Sequence, residues 1–364
     1  MNDFSHGGNL IYARKKYKMG GNRIIDFSAN INPLGLSTGI KRLLCRNISN
    51  IVNYPDPAST LLVEAISDKH KIKKENIITG NGSNELIYLL LGALSPEKVT
   101  IPIPSYSEYE RASLAAGAGC RFLDIIENGK IVFDLENIIK RINGSSEVFF
   151  LCNPHNPTGN LFNREDILYL LDECRNSGII IVVDEAFMPF TFNEEDNSVA
   201  DLAGSYNNLI VLRSMTKIYA IPGLRLGYLL GSSQLISDMR IKQSNWQVNS
   251  LAQDIGPYLL RDNRYLSKSK ALVSRLKGQF YRELRKFDWI DPYCPSVNFI
   301  LCKLKGSATD SKELGDYLVK NHSILIRDCS NFRGLDHSYI RLAVKSRKEN
   351  LKLIECLKKF DRGL

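Results

Sequence analysis

The stretch NLIVLRSMTKIYAIPGLRLG, residues 208–227, joins an apolar run to a lysine and a Pro-Gly turn. The part through Ser214 is mostly aliphatic and β-branched, which predicts a buried strand. Lys217 comes directly after that strand, behind the small hydroxyl residues Ser214 and Thr216. A lysine in so polar and turn-prone a segment indicates a chemical role at the end of the strand.

Six more apolar runs of strand length occur, at residues 76–79, 98–103, 120–125, 147–152, 178–184 and 225–231. Longer amphipathic stretches between them, such as residues 84–94 and 164–177, predict helices. Strands that are apolar on both faces and alternate with helices are typical of a mostly parallel sheet covered on both sides. The sequence therefore predicts an α/β fold, in which ligands bind beyond the carboxyl ends of the strands.

The pattern changes near residue 265. A long basic helical segment, 265–287, precedes strand-like runs at 296–304, 323–328 and 339–344 and a helix from about residue 348. This order predicts a second, smaller α+β domain. We expect three parts: an N-terminal arm (1–35) that packs with the small domain and the active site, a large domain (36–255) and a small domain (256–364).

Composition limits the classes of function. The 364 residues are 44% hydrophobic and 24% charged, as in an ordinary soluble domain, and the net charge is +9. The basic runs at 13–18 and 69–75 are short and scattered, which favours solvated helix faces and anionic small molecules over nucleic acid. Eight cysteines without a CxxC pair, and no apolar run of signal or membrane length, predict a cytoplasmic protein without a metal site.

Three further motifs lie at the ends of predicted strands. In TGNGSNELIYLLL (79–91) a glycine-rich turn leads into a helix, and the free backbone N–H groups of a helix start bind phosphate. In CNPHNPTGN (152–160) two Asn-Pro steps form a rigid loop that can aim the Asn156 side chain. VVDEAF (182–187) places Asp184 at the end of an apolar strand, where it requires a cationic partner or caps the next helix.

One ligand accounts for all four motifs together. A phosphate would bind the helix start with Ser214 and Arg225, a protonated pyridine nitrogen would pair with Asp184, and an aldehyde would react with Lys217. A ring hydroxyl would bond to Asn156. These groups belong to pyridoxal 5′-phosphate, which acts as an electron sink on a lysine amine with an acidic partner at its ring nitrogen.

In the order NPHNPTG, DEAF, SMTK and GLRLG, nearly the whole chain resembles the fold-type I pyridoxal-phosphate enzymes, the aspartate aminotransferase superfamily. The resemblance implies a seven-stranded, mainly parallel sheet, a small domain and a homodimer with active sites at the interface. Lys217 would be the catalytic amine and Asp184 its partner at the pyridinium, with Tyr106 stacked on the ring and Asn156 at the ring hydroxyl. The cofactor phosphate would be held by Gly82, Ser83, Ser214 and Arg225, with Tyr54 of NYPDP reaching it from the partner subunit.

Within that superfamily the chain is most similar to histidinol-phosphate aminotransferases and L-threonine-O-3-phosphate decarboxylases. HGGN (6–9), DFSANINPLG (26–35) and ILIRDCSNFRGLD (324–336) resemble the decarboxylases. Phe187 stands where the aminotransferases usually carry a second tyrosine for the ring hydroxyl. The resemblance assigns substrate binding to His6, Asn30, Asn156, Arg327 and Arg341.

The expected reaction is therefore decarboxylation of L-threonine O-3-phosphate to (R)-1-aminopropan-2-yl phosphate, a precursor in cobalamin biosynthesis. L-Serine O-phosphate, which lacks one methyl group, is an alternative substrate. Histidinol-phosphate transamination is the alternative reaction. A regulatory protein that keeps the fold without catalysis is a further alternative, although no DNA-binding extension flanks the two domains.

Overall fold

The structure, a computed structural model, describes residues 6–21, 23–127, 130–144, 146–306 and 310–361. Its strands are β1 (Ile25–Asp26), β2 (Ile77–Gly80), β3 (Lys98–Ile103), β4 (Gly119–Asp124), β5 (Ile126–Glu127), β6 (Lys130–Ile131), β7 (Val148–Cys152), β8 (Ile180–Asp184), β9 (Leu209–Ser214), β10 (Gly227–Leu230), β11 (Ile290–Pro292), β12 (Phe299–Leu304), β13 (Ile324–Leu325), β14 (Arg327–Asp328) and β15 (Tyr339–Ala343).

Its helices are α1 (Leu10–Lys16), α2 (Thr38–Asn47), α3 (Thr60–His70), α4 (Ser83–Leu94), α5 (Glu108–Ala115), α6 (Leu135–Ile142), α7 (Arg164–Glu173), α8 (Glu194–Asn197), α9 (Ser233–Lys242), α10 (Ser250–Arg261), α11 (Asn263–Leu284), α12 (Ser311–His322) and α13 (Arg347–Asp361). Short 3-10 turns cover Ile48–Val52, Lys74–Asn76, Met188–Phe190, Ala200–Leu202 and Pro222–Leu224. No described helix has the length and hydropathy needed to cross a membrane.

A seven-stranded sheet forms the centre of the large domain, in the order β2-β10-β9-β8-β7-β3-β4. All its neighbouring strands are parallel except β10, which runs antiparallel to both β9 and β2. All seven predicted strands are present, and their ends differ from the prediction by at most two residues. The predicted fold class is confirmed.

Side chains of the central strands alternate between two cores. In β7, Phe149 and Leu151 belong to one hydrophobic cluster, whereas Val148, Phe150 and Cys152 belong to the other. Because successive strand residues point to opposite faces, the sheet is covered on both sides. This is why these strands read as continuous apolar runs rather than as alternating ones.

The small domain has its own core against a four-stranded antiparallel sheet, in the order β11-β12-β15-β14. The predicted strand 323–328 is divided: β13 pairs with β1, and β14 pairs with β15. The β1–β13 pair attaches the N-terminal arm to the small domain, as does a hydrogen bond of 2.7 Å from the Tyr17 hydroxyl to Asp316 in α12. The domain boundaries stay a prediction, and the one after residue 255 falls within α10.

A buried ion network links β9 to α11 through the segment that follows β8. Arg213 of β9 is 3% exposed and donates to Glu185, at 2.6 Å, and to Glu194 of α8. Lys270 of α11 donates to Glu194 at 2.9 Å. Burial raises the pKa of Glu194, but Arg213 and Lys270 outweigh that effect and bring it to about 2. Each buried charge thus has a partner of opposite sign.

Replacing Arg213 by methionine should lower the free energy of unfolding by about 3 kcal/mol or more, because Glu185 would stay buried without a cation and Glu194 would keep only Lys270. Urea unfolding followed by tryptophan fluorescence measures this change. Arg164→Met is the matched control, since Arg164 also pairs with a carboxylate, Asp201, but that carboxylate is 50% exposed. Equal losses for the two variants would contradict the importance of burial.

Candidate active site

The predicted site residues lie close together because neighbouring strands of the sheet end at the same level. Asp184 is the last residue of β8 and is paired in register with Cys152, the last residue of β7. Lys217 follows the end of β9, and Asn156 follows the end of β7. Parallel strands place such groups along one edge of the sheet, where loops form a ligand site.

The start of α4 forms a tight cradle that requires glycine. Gly82 has φ +86°, and a Cβ atom there would lie 2.5 Å from a guanidinium nitrogen of Arg225. A Cβ atom on Gly227 would lie 2.4 Å from the backbone nitrogen of Ser83. The guanidinium of Arg225 therefore lies directly at the positive end of the α4 dipole, an arrangement that suits a phosphate.

Lys217 is half-buried, and its ammonium donates to the Ser214 hydroxyl at 3.4 Å. The Lys217 Nζ also lies 5.1 Å from the centre of the Phe187 ring. Burial lowers the pKa of Lys217, while the Asp184 carboxylate opposes that shift. A larger share of this amine is therefore neutral than for an exposed lysine, which favours its reaction with an aldehyde.

Asp184 is 5% exposed and is held from two sides. The Tyr109 hydroxyl donates to one carboxylate oxygen at 2.6 Å, and the Ala186 backbone N–H donates to the other at 2.9 Å. Burial, and then the Asp184 charge, raises the pKa of Tyr109, so this phenol stays protonated and a donor. Two donors fix the carboxylate in an otherwise apolar position.

Tyr109 is the main site residue that the sequence analysis missed. It lies in α5, is fully buried, and stacks on Phe150 with ring centres 4.6 Å apart. Its edge faces Tyr106, the predicted stacking residue, at 5.5 Å. The spacing of three residues from Tyr106 could have indicated a shared helix face, but only the fold brings its hydroxyl to Asp184.

The N-terminal arm reaches this site. His6 Nε2 lies 2.7 Å from a carboxylate oxygen of Glu108, and its ring centre is 5.4 Å from that of Tyr106. Burial raises the pKa of Glu108, but hydrogen bonds from His6 and from Tyr88 outweigh it and bring the pKa to about 2. Glu108, also missed from sequence, thus remains an anion that attracts the arm.

Two predicted substrate arginines lie side by side in the small domain. Arg341 of β15 is paired in register with Arg327 of β14, and they are 7% and 9% exposed. Arg341 donates to the Asn156 side-chain oxygen and to the Ser28 backbone oxygen. Burial lowers the pKa of Arg341 to about 10, so it remains a cation near neutral pH. The structure therefore brings Asn156 and both arginines together.

Two polar atoms of this site, Asn30 Oδ1 and Arg341 Nε, are buried without a hydrogen-bond partner in the described part of the chain. Orphaned buried polar atoms are costly, so they point to a polar ligand. With the cradle at Gly82 and Arg225, they fit pyridoxal phosphate and an anionic substrate.

Tyr54 lies outside this cluster. It is 80% exposed and stacks on Trp246 with ring centres 4.5 Å apart. Within one chain it does not join the other predicted cofactor residues. Its predicted role toward the partner subunit stays a prediction.

Reduction with borohydride should fix pyridoxal phosphate to Lys217, since this amine is the one with a burial-lowered pKa beside Asp184. Peptide mapping by mass spectrometry locates the label. Lys217→Ala should lose it, whereas Lys270→Ala, which removes a lysine paired with Glu194, should keep it. A label found on another lysine would refute the assignment.

Tyr109→Phe should weaken pyridoxal phosphate binding about tenfold, because a hydrogen bond to a charged group is lost beside the ring nitrogen. Equilibrium dialysis measures the affinity. The difference in affinity between Tyr109→Phe and the wild type should vanish for a pyridoxal phosphate analogue that has carbon in place of the ring nitrogen. Tyr228→Phe, which removes another buried hydroxyl, 2.8 Å from His70, is the control and should bind normally.

Comparison with known proteins agrees with this geometry. A sequence profile of the family described as aminotransferase class I and II matches residues 22–357. The chain is similar to the putative threonine-phosphate decarboxylase of Caldanaerobacter subterraneus, with 37% identity over 94% of each chain. It is 33% identical to the adenosylcobalamin biosynthesis bifunctional protein CobDQ of Leptospira interrogans, over all of this chain and 42% of that longer protein.

A solved structure is similar over the same range. The histidinol-phosphate aminotransferase of Clostridium acetobutylicum shares 34% identity with a TM-score of 0.86, over 94% of this chain and all of that one. The predictions of family, fold and cofactor are confirmed. The chain belongs to the class I and II aminotransferase family and is a pyridoxal-phosphate enzyme of fold type I.

Proposed function

We propose that this enzyme decarboxylates L-threonine O-3-phosphate to (R)-1-aminopropan-2-yl phosphate and carbon dioxide. The reaction would serve cobalamin biosynthesis in the cytoplasm. The active form would be a homodimer.

The observation that carries the proposal is the pair of buried arginines. Arg327 and Arg341 lie opposite each other on neighbouring strands, where Arg327 donates to Asn331, and Arg341 donates to Asn156 and to the Ser28 backbone. Two buried cations suit a ligand with two anionic groups. L-Threonine O-phosphate has such groups, a carboxylate and a phosphate.

The relatives support the same substrate. The protein from Caldanaerobacter is named as a putative threonine-phosphate decarboxylase, and the one from Leptospira carries a cobalamin biosynthesis name. A threonine-phosphate decarboxylase from Salmonella typhimurium is 33% identical over 99% of this chain and 97% of its own. The N-terminal arm with His6 lies at the pocket, as the resemblance to the decarboxylases implies.

In this mechanism, bound pyridoxal phosphate supplies a sink for the electron pair that the substrate α-carbon releases. Asp184, fixed by Tyr109 and Ala186, would hold a proton at the ring nitrogen. Arg327 and Arg341 would grip the two anionic groups. The bond from the α-carbon to the carboxylate breaks, carbon dioxide leaves, and Lys217 would bring the proton that takes its place.

The choice of reaction depends on which bond at the α-carbon the arginines turn toward the ring face. Arg341 bonds to Asn156, so the residue at the ring hydroxyl also fixes one anion site. Phe187 covers Lys217 without adding a hydroxyl group. This side of the cofactor would therefore rely on Asn156 for its polar contact.

The proposed homodimer is supported by an exposed apolar surface. Ile51, Val52, Tyr54 and Leu61 are 59%, 84%, 80% and 71% exposed. Apolar side chains grouped in this way on a surface favour a protein interface. In such a dimer, Tyr54 of each subunit would reach the cofactor phosphate of the other, as the resemblance implies.

Purified holoenzyme given L-threonine O-phosphate without a keto acid should release carbon dioxide in stoichiometric amounts with the amine product. Carbon dioxide detection and mass spectrometry of the product measure this. Arg341→Gln should lower kcat/KM at least about tenfold, since a charge-assisted contact to the substrate is lost. The absence of carbon dioxide would refute the proposal.

A second candidate is histidinol-phosphate transamination, because the Clostridium structure of that name is 34% identical. Both reactions use a phosphorylated amine and the same lysine. Turnover that requires histidinol phosphate together with 2-oxoglutarate would support this candidate instead.

A further inference from the structure

A short loop of the small domain, residues 329–335, lies between the candidate substrate site and the large domain. On its inner side, Asn331 accepts a hydrogen bond of 2.7 Å from Arg327, and the Phe332 ring lies 5.0 Å from the Arg327 guanidinium carbon. Phe332 is 6% exposed. The position of Arg327 is therefore coupled to this loop.

The outer side of the same loop is bound to the large domain. Arg333 donates through two nitrogens to the Glu110 carboxylate, at 2.7 and 3.3 Å. Its guanidinium carbon also lies 4.1 Å from the centre of the Phe122 ring in β4. Bidentate pairing with an aromatic face beneath it is a geometry specific to arginine.

The loop backbone approaches the large domain closely at the next residue. Gly334 has φ +86°, and a Cβ atom there would be 3.6 Å from both the Ile103 side chain and the Pro104 nitrogen. These residues lead from β3 into the segment that carries Tyr106. The ion pair thus joins the Arg327 side of the site to its Tyr106 side, along a cavity of about 460 Å³ that both domains line.

We propose that Arg333 and Glu110 are positioning residues, whose ion pair clamps the loop 329–335 to the large domain and so places Arg327 for the anionic group of the substrate. This inference rests on the proposed function, in which Arg327 binds that group. Arg333 and Glu110 act through Arg327 and do not touch the substrate.

The ion pair is partly buried, on the Glu110 side. The Glu110 side chain is 13% exposed and the Arg333 side chain 41%. Half-exposed pairs are weak when two flexible chains meet in water, but here the aromatic ring and the packed glycine restrict the arginine. Forming the pair therefore costs little further conformational entropy. Loss of the pair should release the loop and displace Arg327.

The test uses holoenzyme and compares Arg333→Met, Glu110→Gln and the double variant. Rapid-mixing titration of cofactor absorbance, read before turnover, gives the dissociation constant for L-threonine O-phosphate and, separately, for L-histidinol phosphate, so either ligand reports on the clamp. Each single variant should raise the dissociation constant about three- to fivefold. The double variant should be no weaker than either single one, and kcat should stay at the wild-type value.

Arg175→Met is the matched control, because Arg175 also pairs with a carboxylate, Asp172, and lies over an aromatic ring, Tyr206, but on α7 and its following turn. It should bind as wild type does. The clamp proposal would be wrong if the single variants had the same dissociation constants as this control. It would also be wrong if the losses of affinity added in the double variant.

Arg327→Gln separates this inference from the proposed function. A loss of at least about tenfold in that variant supports the anion site. If Arg327→Gln weakens binding and Arg333→Met does not, the clamp alone is wrong. If Arg327→Gln binds normally, the assigned role of Arg327 fails, and the clamp fails with it.

Discussion

The buried carboxylate of Asp184 is the constraint on which the rest of the site depends. An anion at the end of an apolar strand is stable only with donors around it. Tyr109 and the Ala186 backbone supply two of them, and Lys217 lies close enough for its pKa to respond to the Asp184 charge. Polar contacts rather than hydrophobic packing therefore fix this position, which fits the proposed pairing of Asp184 with a cationic ring nitrogen.

Charge pairing recurs at each junction of the fold. Arg213 and Glu185 join the ends of β9 and β8, His6 and Glu108 hold the arm, and Arg333 and Glu110 connect the small domain to the large one. Arg327 and Arg341, the proposed substrate arginines, also lie buried, side by side on neighbouring strands. Their contacts with Asn331 and Asn156 are to neutral amide groups, which fits the proposed role in binding an anionic substrate.

Much of the fold and of the cofactor site can be predicted from the sequence, because both depend on short runs of neighbouring residues. The seven central strands are short apolar runs, and Gly82, Asp184 and Lys217 each follow or end one of them. Strand ends in a parallel sheet come together by geometry, so motifs far apart in sequence could be assigned to one ligand. The division of residues 323–328 into two strands was missed, since each half pairs with a different distant segment.

The sequence by itself determined the α/β class, the order of strands and helices, and the set of groups that fit pyridoxal phosphate, since periodicity and strand-end motifs are properties of neighbouring residues. Only the tertiary structure decided that Tyr109 holds Asp184, that Glu108 holds His6 and that Arg333 meets Glu110. The last two contacts span more than a hundred residues. Their partners are chosen by packing between domains, which local sequence patterns do not encode.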